Sequence, residues 1–203
     1  MSIAVTFYNN KIDNQIFQYQ KKVFDHFGLK INQINSPTWP GHGHLVDQHI
    51  KSLGNNWDIF VLFDIDSIPL DNKIIDEGIE WAKNNLGLFS VAQRHYKKSE
   101  VVYASPAFLI FSKKTYDTIG RPSFIETDRS DVSGELTHTC LEKKLPVNII
   151  YPSHVEQKQW LLVGNERFGR GTTYGNRVYH AFESRIGNIS LFVNKCKEIL
   201  GEK

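Results

Sequence analysis

The segment Asp58-Ile-Phe-Val-Leu-Phe-Asp-Ile-Asp66 narrows the folding options for this chain more than any other stretch. From Ile59 to Phe63 no polar side chain interrupts it. A run this short, bounded by polar residues and rich in branched and aromatic side chains, reads as a strand covered on both faces. Such a strand needs layers above and below it, which is the plan of an α/β fold. It ends in two carboxylates one residue apart, Asp64 and Asp66. Burying them without a cation or hydrogen-bond donors is costly. In an open α/β sheet the ligand crevice lies outside the carboxyl ends of the strands, so the pair is expected to face a site. Carboxylates acting with substrate phosphates are the usual holders of Mg²⁺ or Mn²⁺. The plainer alternative is that Asp64 and Asp66 only end the strand and cap the turn through Ser67 and Pro69.

The rest of the chain alternates in the way this plan requires. Ser2 to Tyr8 reads as a buried first strand that stops at Asn9-Asn10. Ile12, Ile16, Val23, Phe24 and Phe27 then recur at helical spacing, with Asp13 as a cap and Gly28 as the stop. A strand follows over Leu29 to Ile34, and a turn-rich segment from Ser36 to His44 leads to a helix from about Leu45 to Leu53. Beyond the Asp pair, the pattern predicts a helix over Lys73 to Asn84 and strands over Leu88 to Gln93 and Ala107 to Phe111. Helices over Lys113 to Ile119 and Ser133 to Lys144 and a strand over Val147 to Tyr151 come next. Gly164 to Asn176 is polar and rich in glycine, and Gln157 to Gly175 is expected to be a long loop acting as a lid. Ile189, Phe192, Val193, Cys196, Ile199 and Leu200 form the apolar face of a last helix.

Bulk properties exclude several classes. The 203 residues suffice for one core and are expected to form a single domain. A net charge of +2 is no footprint for nucleic acid or membrane. Cys140 and Cys196 are too far apart for a CxxC site and too few for a disulfide framework, which suits a reducing cytoplasm. The start lacks a basic signal-peptide region, and no run of about 18 apolar residues marks a transmembrane segment. The expectation is therefore a soluble, cytoplasmic protein.

The Asp64 to Pro69 segment at the end of its apolar strand resembles the DxD motif of the GT-A glycosyltransferases, and the order of elements is similar. The resemblance implies a mixed, mainly parallel central sheet flanked by helices. It also implies a metal-dependent transfer of sugar from a nucleotide-diphosphate-sugar donor to an acceptor hydroxyl. By that likeness Asp64 contacts the ribose or a metal-bound water, Asp66 ligates Mn²⁺ or Mg²⁺, and His180, in Arg177-Val-Tyr-His-Ala-Phe182, completes the metal shell. A lone His in such a run is otherwise a core residue. Asp128-Arg-Ser-Asp131-Val-Ser-Gly-Glu135 is similar to the family-2 segment that supplies the catalytic base of an inverting reaction. Asp131 is expected in that role, with Asp128 and Glu135 as alternatives and a helix N-cap as its structural explanation.

Phe7 and Tyr8, at the first-strand end where the family binds the nucleoside, are expected to contact the donor with Ile65, Asp64 and Asp47. Arg170 or Arg177 is expected to offer the diphosphate a charge-assisted contact. His42 and His44, without a third ligand, are weak evidence for zinc. The acceptor stays open between a glycan, a lipid-linked sugar, a protein and a modified nucleic acid. A phosphatase of the haloacid dehalogenase type, or a nucleotide-sugar-binding module without turnover, are the alternatives.

Overall fold

A computed structural model describes residues 4–95, 100–184 and 189–202. Six strands form the main sheet: β1 (Ala4–Tyr8), β2 (Ile31–Asn35), β3 (Ile59–Phe63), β5 (Leu88–Arg94), β6 (Val102–Ser112) and β7 (Val147–Ile150), in the order β2-β1-β3-β6-β5-β7. β1 runs parallel to β2 and β3, and β5 parallel to β7, while β6 is antiparallel to both β3 and β5. The sheet is therefore mixed and mainly parallel. A second, antiparallel sheet of β4 (Ser67–Pro69), β8 (Pro152–Leu161), β9 (Arg167–Tyr174) and β10 (Val178–His180) has the order β4-β10-β9-β8. Ser2 and Ile3, assigned by sequence to the first strand, lie outside the described residues.

β3 is covered on both faces, as its composition requires. Val61 and Phe63 point into a core with Phe24 of α1 (Asn14–His26), Ile74 and Ala82 of α3 (Ile74–Asn84), and Tyr174 and Val178 of the second sheet. Phe60 and Leu62 point the other way, against α2 (His42–Leu53), α4 (Lys113–Thr118) and α5 (Gly134–Glu142). The side chains of Phe60, Val61, Leu62 and Phe63 are at most 4% exposed, and each such burial is worth on the order of 2 kcal/mol. α6 (Ile189–Leu200) lies along α1, where Phe192 and Cys196 meet Ile16 and Val23. Asp13 caps α1 by accepting from Gln15 N at 2.8 Å, and Gly28 follows its end at φ 69°.

Besides shifts of a residue or two at other ends, such as β2 at Ile31–Asn35 rather than Leu29 to Ile34, three elements depart from the sequence reading. α2 begins at His42, a turn before Leu45, because Gly41 at φ 120° serves as its cap. β6 begins at Val102 rather than Ala107. Its extra length passes through a bulge at Ser105 to Phe108, where Ser90 Oγ lies 2.7 Å from the Phe108 carbonyl, to which it donates, and 3.0 Å from that of Ser105. Most of Gln157 to Gly175 is not a loop: it is the β8–β9 hairpin, with a turn closed by Leu162 N to Glu166 O at 2.8 Å. The two glycines of its second strand answer to close approach. A Cβ on Gly169 would sit 2.1 Å from the Gln157 carbonyl oxygen, and Gly171 at φ 68° packs on the Glu156 side chain.

Both cysteines are fully buried and unpaired by disulfide. Burial pushes the Cys140 thiol up to about 12 and the Cys196 thiol higher still. Neither is expected to react with a disulfide reagent at pH 8 in native protein, whereas both should titrate in denaturant. A thiol reacting natively within minutes would show that α5 or α6 opens locally. Among the described residues no helix is long and apolar enough to cross a membrane.

Candidate active site

The carboxyl ends of β1, β3 and β5 point to one side of the sheet, and the antiparallel β6 brings its amino-terminal half to the same side. A cavity of about 350 Å³ opens there, lined by Phe7, Tyr8 and Asn9 at the end of β1, Asp64 to Asp66 after β3, Gln93 from β5 and Tyr103 and Pro106 from β6. Asp131 and Val132, ahead of α5, His180 at the end of β10 and Phe182, Glu183 and Ser184 after it close the other walls.

Asp64, Asp66 and His180 converge, each with one ligand atom within 4.8 Å of the others. His180 Nε2 is 3.1 Å from Asp66 Oδ1 and 3.6 Å from Asp64 Oδ2. Asp66 and His180 are almost wholly buried, at 7% and 4% exposure. Burial pushes the Asp66 carboxyl up, but the charge and hydrogen bond of His180, with the Ser184 backbone N–H at 3.4 Å, outweigh it and hold the group at about 2. Asp66 is thus an anion at any working pH. The second sheet makes the meeting possible: β4, which starts at Ser67, pairs with β10 so that His180 lies opposite Ser67. Phe182 and Glu183 then take positive φ values of 57° and 50°, a turn that L side chains seldom adopt, and Ser184 comes back onto Asp66.

Asp131 faces the same cavity. Its Oδ1 accepts from Val132 N at 2.8 Å, and Tyr103 Oη makes a long contact of 3.5 Å to its Oδ2. Burial, then the charges of Asp131 and Asp64, keep Tyr103 a neutral phenol well above the usual tyrosine range. The cap of α5 is Ser133, in the left-handed region, so Asp131 does not serve as the N-cap expected of it on structural grounds. Of the alternatives, Asp128 is exposed. Glu135 is gripped by Arg129, with Thr127 and Ser130 donating as well, which holds its carboxyl at about 2.

Other expected contacts fall unevenly. Phe7, Tyr8 and Ile65 line the cavity, although the Tyr8 ring already stacks on Phe17 with centroids 4.9 Å apart. Asp47 lies elsewhere: it accepts from Ser123 Oγ at 2.5 Å and Phe124 N at 3.0 Å and lines a separate depression with Trp57 and Tyr116. One turn of α2 past His44, it faces the loop ahead of Asp131 rather than the cavity. Arg170 is paired with Glu183 at 2.6 Å, and it is Glu183 that reaches the cavity. Arg177 grips Asp71 and Glu77, tying β10 to α3. Both guanidiniums are committed to carboxylates of their own chain.

His42, set aside as half of a poor zinc pair, proves to be at the site, while His44 is exposed. His42 Nδ1 lies 3.3 Å from Asp64 Oδ1, and its ring sits between Phe7 and Trp39. Tyr103 and Gln93 were also missed. The β6 bulge aims them inward, with Ser105 Oγ donating to Gln93 Oε1 at 2.6 Å, and no periodicity in sequence marks a bulge.

No protein-family model and no curated protein matches the sequence. Solved structures do match. The mannosyltransferase PcManGT from Pyrobaculum calidifontis, in complex with GDP-Man and Mn²⁺, superposes with a TM-score of 0.51 at 9% identity over 74% of this chain. The fold is that of the GT-A glycosyltransferases. The matched part is only 56% of the mannosyltransferase chain, and at this identity the likeness speaks for the fold alone. A197 from STIV matches 89% of this chain and 95% of its own at 10% identity and TM-score 0.48. A glycosyltransferase involved in glycosylation of the major capsid of PBCV-1 covers 73% of this chain and 80% of its own at 11% identity and TM-score 0.42. Within this GT-A fold the Asp64, Asp66 and His180 cluster stands at the carboxyl ends of the strands, where such sheets take their ligands.

Proposed function

We propose that the chain is a metal-dependent glycosyltransferase, moving a sugar from a nucleotide-diphosphate donor to an acceptor hydroxyl with inversion. The observation that carries this reading is the convergence of Asp64, Asp66 and His180 at the strand ends of a GT-A sheet, in a cavity that also holds Asp131. The two carboxylates suit Mn²⁺ or Mg²⁺, and the imidazole tips the set toward the transition metal Mn²⁺. The cation, held by these three residues, would act as a Lewis acid that stabilises charge on the departing nucleotide diphosphate.

The remaining work falls to the chain itself. Phe7, Tyr8 and Trp39 offer an apolar wall for the nucleoside, and His42 orients Asp64 through the 3.3 Å contact. Asp131, with Oδ1 occupied by the Val132 amide, has Oδ2 left to take the proton from the acceptor hydroxyl as it attacks the anomeric carbon. Tyr103 Oη stands 3.5 Å from that oxygen. Asp47 and Arg170, held in contacts of their own, are not part of the proposed donor site.

A melting-temperature survey of nucleoside diphosphates with and without Mn²⁺ tests the reading, since a ligand that binds only the folded state stabilises it. The GDP-mannose and Mn²⁺ of the structural neighbour make GDP and GDP-mannose the first compounds to try. At 100 times its dissociation constant a nucleotide adds about 2.7 kcal/mol, a rise of several degrees for a chain of this size. The rise should need nucleotide and metal together. Flat curves across all nucleotides with metal present would sink the transferase.

A further inference from the structure

The helix α1 carries one residue that its packing pattern does not explain. Ile16, Gln20, Val23 and Phe24 are its buried side chains, and Gln20 is 0% exposed, on the stripe where an apolar residue is expected. A buried amide is costly unless all its groups are satisfied. Here they are. Gln20 Nε2 donates to the Asp64 carbonyl at 2.8 Å and to the Ser67 carbonyl at 3.0 Å, and Gln20 Oε1 accepts from Gln33 Nε2 at 3.0 Å. Gln33, on β2, also donates to the Phe17 carbonyl at 2.8 Å, which sets which end of the Gln20 amide faces the turn.

Asp64 and Ser67 are the two ends of the turn that carries both carboxylates of the cluster. The turn closes on itself through Ser67 N to Asp64 O at 3.1 Å, and it is tied to β6 by Asp64 N to Ala107 O at 3.4 Å and to the β10 segment by Ala181 N to Asp66 O at 3.0 Å and Ser67 Oγ to Tyr179 O at 3.1 Å. Gln20 staples its ends together from the helix side. We infer that Gln20 is a positioning residue for the metal site, holding the Asp64–Ser67 turn in the shape that presents Asp64 and Asp66 together to a divalent cation. The inference rests on the metal reading above and extends it to a residue that touches neither cation nor donor. Groups that hold metal-ligating residues in place typically govern affinity by about 10- to 100-fold.

The test measures Mn²⁺ alone, by the electron paramagnetic resonance signal of the free ion, in the parent chain and in Gln20→Met, which keeps the length and removes the amide. Melting temperatures are read in parallel. Mn²⁺ binding is expected to weaken by about 10-fold or more in Gln20→Met. Ile119→Val, in the core on the other face of the sheet, should lower the melting temperature and leave Mn²⁺ affinity unchanged. If Gln20→Met does not fold, Gln33→Leu, which frees the Gln20 amide to turn, carries the same expectation at several-fold. Affinity within about twofold of the parent in the folded variant overturns the positioning role while the metal site stands. A parent chain that binds no Mn²⁺ overturns both.

Discussion

Asp66→Asn is expected to reduce sugar transfer by roughly 10³-fold, the equivalent of about 4 kcal/mol of transition-state stabilisation. The side chain keeps its shape and loses its charge, so the cavity wall is preserved while the cluster has one anion fewer. Asp66 is the most deeply buried of the two carboxylates and touches His180 directly at 3.1 Å, so a carboxamide there leaves an imidazole facing Asp64 alone. The rise in melting temperature that nucleotide and Mn²⁺ produce together should disappear with it. Circular dichroism of the variant separates loss of the site from loss of the fold. A folded Asn variant that still shows the full Mn²⁺-dependent rise would remove Asp66 from the metal shell, whatever its activity.

Asp131→Asn is expected to behave differently. In the proposed reading its carboxylate serves the acceptor, and its hydrogen bonds go to Val132 N and Tyr103 Oη rather than to Asp66 or His180. Donor and metal binding should therefore survive, with the melting-temperature rise intact. Turnover should fall by about 10²- to 10⁴-fold, the usual worth of a positioned general base. The loss should sit in kcat rather than in the KM for donor. Product analysis by proton NMR at early times gives the stereochemistry independently: inversion at the anomeric carbon agrees with direct displacement assisted by Asp131. Retention, or a kcat within a few-fold of the parent, would reduce Asp131 to an acceptor contact.

How much of this was legible beforehand depends on the range of the interaction involved. The β3 strand and its terminal carboxylates could be read because burial on both faces needs an unbroken apolar run. The α1 helix was readable down to its Asp13 cap and Gly28 stop, since both act within one turn. Elsewhere the same rules misled. Glycines at 169 and 171 read as a lid, yet they stand in β9 because a cross-strand backbone and the Glu156 side chain leave no room for a Cβ. Asp47 and Arg170 had suitable chemistry for donor contacts, but Ser123 with Phe124 and Glu183 claim them, and those partners are 76, 77 and 13 residues away. Gln20 left a trace in sequence as a polar residue on an apolar helical stripe, without any sign of what it would hold.

By itself the sequence determined the alternation of strands and helices, the buried β3 and the pair of carboxylates at its end, because periodicity, capping and charge are local properties of the chain. The tertiary structure decided which distant groups join that pair. It placed His180 opposite Ser67 through the β4–β10 pairing, His42 beside Asp64, Asp131 across the cavity and Gln20 beneath the turn. The physical reason is that these meetings depend on strand order and register, which are set by the summed burial of both sheet faces and by no short segment of the chain.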